Sequence, residues 1–330
     1  MWLPALHAGP GRCMLPRGIR EDDGGAVGNM AKIELGSTLR VLEPYPGILA
    51  FYDGRIPGVR AWSDAPNWLD DGAFALGCAS YAVIDGEEAL VYDTHISLAH
   101  ATLIRRRLEA AGVTRIRVVL SHWHDDHVAG NEVFADCEII AHRLTLEALL
   151  ANRAAIESAD PPIRPLVLPN RTFEGSLSLE VGRLAVELHP ADIHSHDGVV
   201  LLVPAHDLLL AGDTLEEPIT YVAEPERLEA HLADLARMAG LPFRRILPNH
   251  GAEAVIAAGG YGRELITATE LYVRRLLLCR AEPDLATRTL RDFAPDIFAL
   301  PGISYFEPYE AVHAGNVAKV LARAGTVSAA

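Results

Sequence analysis

The chain reads as an α/β protein. Two observations carry that reading: short apolar runs with the composition of buried strands alternate with stretches whose apolar residues recur at helical spacing, and several of the runs end on a histidine or an aspartate. Open α/β folds place their chemistry at such strand ends.

Taken in order, residues 1–29 hold six glycines and three prolines and carry no apolar period. They lack the basic start, apolar core and small-residue cleavage site of a secretory signal, so they read as a disordered extension upstream of a natural start at Met30. Regular structure is expected from about Ser37, which assigns residues 1–36 to the extension. Arg40–Leu42 and Gly47–Tyr52 read as one hairpin. Leu76–Ile84 and Glu88–Tyr92 read as the next, split by Asp85-Gly86. Ala101, Ile104, Leu108 and Ala111 make the buried stripe of a helix whose Arg105, Arg106 and Arg107 face water. Ile116, Val118, Val119 and Leu120 form a buried strand, followed by strand-like runs at Cys137–Ala141, Leu184–His189, Leu208–Gly212 and Arg245–Asn249. A helix is expected from Pro225 to Ala239, with Leu228, Leu232 and Leu235 on one face and Gly240 as its stop, and a longer one from Gly262 to Arg280. The alternation of strand and helix patterns therefore runs over residues 37–280. Shorter helical patterns near 285–293 and 309–321 make an extension over 281–330 that either covers a substrate entrance or forms a subunit contact, which leaves a homo-oligomer open.

Residues 121–131 carry the chemistry. Their sequence, Ser-His-Trp-His-Asp-Asp-His-Val-Ala-Gly-Asn, contains the pattern H-x-H-x-D-H in His122, His124, Asp126 and His127, at the point where a strand runs out into a loop. Four metal-binding side chains so close together point to a metal site, and their alternation suits two ions side by side. Such a site needs further ligands. His194, Asp213 and His250 each follow a strand-like run, and Asp93 ends an earlier one.

The order of these motifs, with Gly212-Asp213-Thr214 and Pro248-Asn249-His250-Gly251, resembles the metallo-β-lactamase superfamily over roughly residues 37–280. The resemblance implies a four-layer αβ/βα sandwich with a metal site at one edge of two facing sheets. It implies His122, His124 and His194 on a first metal, Asp126, His127 and His250 on a second, and Asp213 bridging both. Two ions about 3.5–4 Å apart share and activate one water, so a bridging hydroxide oriented by Asp126 is the implied nucleophile. Two zinc ions are expected, with iron or manganese fitting the same donors.

Two positions depart from the family pattern. His95 stands where a glycine is usual, either as a substrate or proton-transfer group or as a histidine packed at a helix start, and Asn249 replaces a glycine before the last histidine. His196 reads as a solvated or supporting residue, His142 as the cap of the following helix. Candidate pocket walls are the loop 53–74 with Trp62 and Trp68, residues 159–172 with Arg164 and Arg171 available to an anionic group, and residues 214–224. Tyr221 in the last is the best candidate for a substrate contact; its alternative is packing on the helix from Pro225.

Half of the 330 residues are apolar, enough for one large core, and no apolar run approaches the roughly 20 residues of a membrane span. The net charge of −15 argues against nucleic acid, which needs a basic groove. Four cysteines without paired spacing suit reduced thiols and a cytoplasmic location. The expectation is a binuclear metal-dependent hydrolase acting on a small-molecule ester, lactone, thioester or amide. The alternatives are a mononuclear iron persulfide dioxygenase and a β-lactamase-like amidohydrolase.

Overall fold

The computed structural model describes residues 31–327. The extension expected over residues 1–29 lies outside them. Order begins earlier than Ser37, because β1 (Ala31–Lys32) pairs in parallel with β4 (Val59–Arg60).

A seven-stranded sheet runs in the order β2 (Arg40–Tyr45), β3 (Ile48–Asp53), β5 (Cys78–Asp85), β6 (Glu88–Tyr92), β7 (Arg115–Val119), β8 (Glu138–His142), β9 (Arg171–Phe173). Its first four strands are antiparallel neighbours and its last four are parallel. The expected second hairpin is present, with Asp85 opposite Glu88. The other sheet has five strands: β10 (Leu177–Val181), β11 (Leu184–Pro190), β12 (Val199–Val203), β13 (Leu208–Gly212) and β14 (Arg245–Pro248). Only β13 and β14 are parallel in it. Between and after the strands come α1 (Leu98–Ala110), α2 (Asp125–Val128), α3 (Arg143–Glu157), α4 (Leu228–Met238), α5 (Glu253–Ala257), α6 (Glu264–Leu278), α7 (Pro283–Ala286), α8 (Leu290–Phe293) and α9 (Tyr309–Val327).

Strand periodicity explains the layers. In β12, Val199, Leu201 and Val203 point into the space between the sheets, where they meet Tyr81, Leu90 and Tyr92, while Val200 and Leu202 point outward. Both faces are covered, so the strand reads as a continuous apolar run and not an alternating one. The outer face of the large sheet packs Phe51, Val91, Val118 and Ile139 against Ile104 and Leu108 of α1 and Leu149 of α3. The outer face of the small sheet packs Leu202, Leu209 and Ile246 against Leu235 of α4, Tyr272 of α6 and Val312 of α9. The order of layers is therefore helix, sheet, sheet, helix. The arginines of α1 behave as expected, Arg105 pairing with Asp136 and Glu109 at the surface. Cys78, Cys137 and Cys279 are free thiols, and among the described residues no helix is long and apolar enough to cross a membrane.

Candidate metal centre

Strand ends from both sheets deliver the expected residues to one place. β6 ends before Asp93, β7 before the loop carrying His122 and His124, β13 before Asp213, and β14 before His250. α2 presents Asp126 and His127, and the loop after β11 presents His194. The two sheets can meet there because Gly212 lies at φ 57 beside a register shift, and a Cβ on it would stand 2.9 Å from both Ser121 Cβ and Tyr92 Oη. Asp93 and His194 also hold positive φ, 66° and 69°, a conformation that concentrates at functional sites.

The expected side chains fall into two groups of potential ligands, His122, His124 and His194 in one, and Asp126, His127, Asp213 and His250 in the other; His194 and Asp213 also form a third group with Glu216. In the first group, His122 Nε2 and His194 Nε2 each lie 2.9 Å from His124 Nδ1. In the second, Asp213 Oδ2 lies 3.1 Å from His127 Nε2 and 3.3 Å from His250 Nε2, with Asp126 3.4 and 3.2 Å from the same two nitrogens. Asp213 Oδ2 is also 3.8 Å from His122 and 3.7 Å from His194, between the groups.

The outward ring nitrogens fix what points inward. His127 Nδ1 donates to Asp93 at 3.0 Å, and His250 Nδ1 to the carbonyl of Gly77 at 2.7 Å. Ser121 Oγ gives its proton to Asp93 and so accepts from His122 Nδ1. The inner nitrogens of these three rings therefore face the cleft and are open to a cation. Beside the carboxylate oxygens they call for a cation, a proton or a metal ion, and Asp213 Oδ1 and His124 Nε2 are buried without a hydrogen bond from the protein. The donor set of imidazole nitrogen and carboxylate oxygen suits zinc, iron or manganese.

Charge gives the same picture. Burial drives His122 and His124 well below the ordinary imidazole value, and neighbouring imidazoles add to the effect. Burial also opposes protonation of His127 and His250, but the carboxylates of Asp126 and Asp213 outweigh it and lift both. Burial would raise Asp126 and Asp213 themselves, yet the same two imidazoles hold them well below the carboxylate range. Positive charge is thus drawn to the group of four.

Other expected residues divide. Tyr221 does border the cleft, its ring 5.7 Å from His194, but its hydroxyl is engaged by Lys319 of α9. His95 is corrected: it is wholly buried, donates from Nε2 to Phe51 O, accepts the Ile96 amide on Nδ1, and stacks on His100 at 4.5 Å. A ring with both nitrogens spent on the backbone is a core element. Arg171 pairs with Glu138, and Arg164 is exposed on a different cavity. Trp62 and Trp68 donate to Asp160 and Pro161 O, tying loop 53–74 to residues 159–165; Gly72 and Ala73, farther along the same loop, reach the cleft. His196 pairs with Glu224, and His142 caps α3 as expected. Asn249 joins the site by donating to Asp93 at 2.6 Å.

Glu216 was not anticipated. It is 1% exposed, borders the cleft, and lies 3.3 Å from His194 Nδ1. The available signal is two adjacent acids, Glu216 and Glu217, in the otherwise apolar segment that leaves Asp213. The cleft is narrow, with about 10 Å³ wide enough for water, and its remaining wall is Leu76 and Val312.

A family model described as the metallo-beta-lactamase superfamily matches residues 73–250, more than half of the chain. An atrochrysone carboxyl ACP thioesterase of Aspergillus terreus is 27% identical over 183 residues, 55% of this chain and 52% of that protein. The lactamase-like protein vrtG of Penicillium aethiopicum is 28% identical, over 53% of this chain and 52% of its own length, and thioesterase pkgB of Emericella nidulans is 27% identical, over 53% and 46%. The chain thus spans about half the length of these curated relatives. Among solved structures, a metallo-beta-lactamase from Pontibacter korlensis superposes with a TM-score of 0.56 at 16% identity, covering 72% of this chain and 99% of that one. DIM-1 metallo-beta-lactamase does so with 0.54 at 18%, covering 72% and 97%.

Proposed function

The chain belongs to the metallo-beta-lactamase superfamily, and from that premise we propose that it is a metal-dependent hydrolase with two adjacent metal sites, cleaving small acyl compounds. One observation carries the reading: the inner nitrogens of imidazoles whose outer nitrogens are already committed converge with two buried carboxylates. His122, His124 and His194 would hold one ion and Asp126, His127 and His250 the other, with Asp213 between them. Divalent cations bound there supply Lewis acidity and activate water near neutral pH.

The rest of the chemistry falls to the protein. Asp93 and Ser121 keep His127 and His122 in the tautomer that faces inward, and the Gly77 carbonyl does so for His250. Asp126, beside His127 and His250, can orient the attacking water by accepting its hydrogen bond. Gly72, Ala73, Leu76 and Val312 make an apolar wall that orients an acyl chain and excludes bulk water. Among ester, lactone, thioester and amide, a thioester ranks first, since two of the three relatives named above are called thioesterases.

Metal analysis of protein purified without added metal, with hydrolysis of an ester, lactone, thioester and β-lactam panel, tests this. The expected result is two zinc ions per chain, thioester cleavage, and loss of activity on chelation with recovery on adding zinc. One iron per chain with oxygen consumption on a persulfide would overturn the hydrolase reading.

A further inference from the structure

Each of three imidazoles at the centre has an acceptor fixed to its outer nitrogen: Ser121 for His122, Asp93 for His127 and the Gly77 carbonyl for His250. Of the other two, His124 turns Nδ1 inward and leaves Nε2 buried without a hydrogen bond, while His194 turns Nε2 inward and its Nδ1 is buried without an aligned one. The group facing that nitrogen is Glu216, with Oε1 at 3.3 Å. We infer that Glu216 is the positioning residue for His194, and that the C-terminal helix α9 holds Glu216 in place through Tyr309. This inference rests on the reading of His194 as a ligand.

The surroundings of Glu216 are built to hold a carboxylate. Oε1 accepts the Tyr221 amide at 2.8 Å and the Thr220 hydroxyl at 3.3 Å, and Oε2 accepts the Tyr309 hydroxyl at 3.1 Å. Tyr309 is itself wholly buried. The carboxylate meets the ring of His194 from the side opposite Nε2, so it steadies the ligand while the inner nitrogen is left to the ion. At 3.3 Å Oε1 is within reach of Nδ1–H, and a negative acceptor there raises the basicity of Nε2.

The loop that carries Glu216 depends on α9 at more points. Asn316 accepts the Val222 amide at 2.8 Å and donates to Thr220 O at 3.0 Å, and Lys319 donates to Val222 O at 2.9 Å. The neighbouring Glu217 faces away, pairing with Arg55 and accepting the Ser304 amide, while its own amide donates to His250 O. The C-terminal extension is thereby wired to a ligand of each proposed metal site.

The test is metal affinity of the full chain, by competition between metal-free protein and a chromophoric zinc chelator, for the parent and for Glu216→Gln, Glu216→Ala, Tyr309→Phe and His194→Ala. Loss of such an orienting partner typically weakens binding about 10- to 100-fold. That loss is expected at one of the two sites in Glu216→Ala, with a smaller loss at the same site in Glu216→Gln, which keeps an acceptor oxygen, and in Tyr309→Phe. Parental affinity in Glu216→Ala, with only the melting temperature of the metal-free protein lowered, overturns the inference and makes Glu216 a purely structural residue. If Glu216→Ala does not fold, Tyr309→Phe decides, because it removes one hydroxyl and keeps the buried ring: parental affinity there overturns the role of α9, and weakened affinity upholds it. His194→Ala separates the premise. If it binds two ions as the parent does, the ligand reading itself has failed; if it loses one while Glu216→Ala does not, only the positioning role has.

Discussion

Replacing Asp93 by asparagine probes the hub that joins the two sheets at the metal centre. Asp93 is fully buried at φ 66, a conformation that asparagine tolerates well, so the backbone is spared and the change falls on charge and hydrogen bonding. Oδ1 accepts the Ser121 amide at 2.6 Å. Oδ2 accepts the Ser121 hydroxyl at 2.6 Å, His127 Nδ1 at 3.0 Å and Asn249 Nδ2 at 2.6 Å. With an amide nitrogen at Oδ2, the last two donors face a donor. Hydrogen bonds to a charged group contribute about 1.5–3 kcal/mol each, so two of them amount to roughly 3–6 kcal/mol before relaxation. Asn249 can return part of this by turning its amide, whose oxygen makes no hydrogen bond in the parent, and about 3 kcal/mol of net destabilisation is expected. His127 also loses its orienting partner, which weakens metal binding about 10- to 100-fold. Urea denaturation of metal-free and metal-loaded protein, with a chelator competition, reads both quantities. A variant with the parental midpoint and parental affinity would refute the idea that Asp93 organises the site.

Asp126→Ala should bind one metal ion fewer and lose turnover by orders of magnitude while keeping its fold, since Asp126 lies in the first turn of α2 and outside the apolar clusters; near-parental turnover at saturating metal counts against its role. Tyr221→Phe keeps the ring that borders the cleft and removes the hydroxyl held by Lys319, an effect of about 0.5–1.5 kcal/mol on the transition state if substrate also meets that hydroxyl. Metal content should not change, and unaltered kinetics with a lower melting temperature would assign Tyr221 to packing. Burial lowers His231 to about 4, with its ring wholly inside the protein, so between 6.5 and 4 the unfolded chain binds the extra proton. Stability is therefore full above pH 6.5 and declines as pH falls toward 4, by about 2 kcal/mol between pH 6.5 and 5. Metal-loaded parent and His231→Phe, denatured in urea across that range, should differ in slope by this amount; equal slopes would show that His231 is not the group responsible.

The grouping of the proposed donors was legible because strand ends leave little freedom. A buried strand shows as an apolar run, its last residue is aimed by the ladder, and a histidine or aspartate there has few other reasons to stand beside the core; this holds for Asp93, Asp213 and His250. His95 follows a strand too, yet it turns into the space beside His100, because positive φ at both Asp93 and His95 redirects the chain in a way the residue types do not announce. Arg171 is engaged for a different reason: a long cation finds its partner across strands, and Glu138 on the adjacent β8 is remote in sequence from it. Glu216 was missed because its meaning depends on Tyr309, 93 residues away, and no periodic pattern links the two.

That separation bears on how the fold divides its labour. All seven proposed donors lie within residues 73–250, the part matched by the family model, whereas Tyr309, Val312, Asn316 and Lys319 lie beyond it. Strand ends can aim a donor without help from outside the sandwich, but the loop leaving Asp213 has no ladder to hold it. Its Val222 amide and Thr220 carbonyl are satisfied by Asn316, and its Val222 carbonyl by Lys319. Left unpaired, such buried backbone groups are costly, so the loop needs α9 in order to stay closed over the site. Val312 of the same helix also walls the cleft. The proposed metal donors thus belong to the sandwich, while part of the wall above them comes from a helix that the matched region does not include.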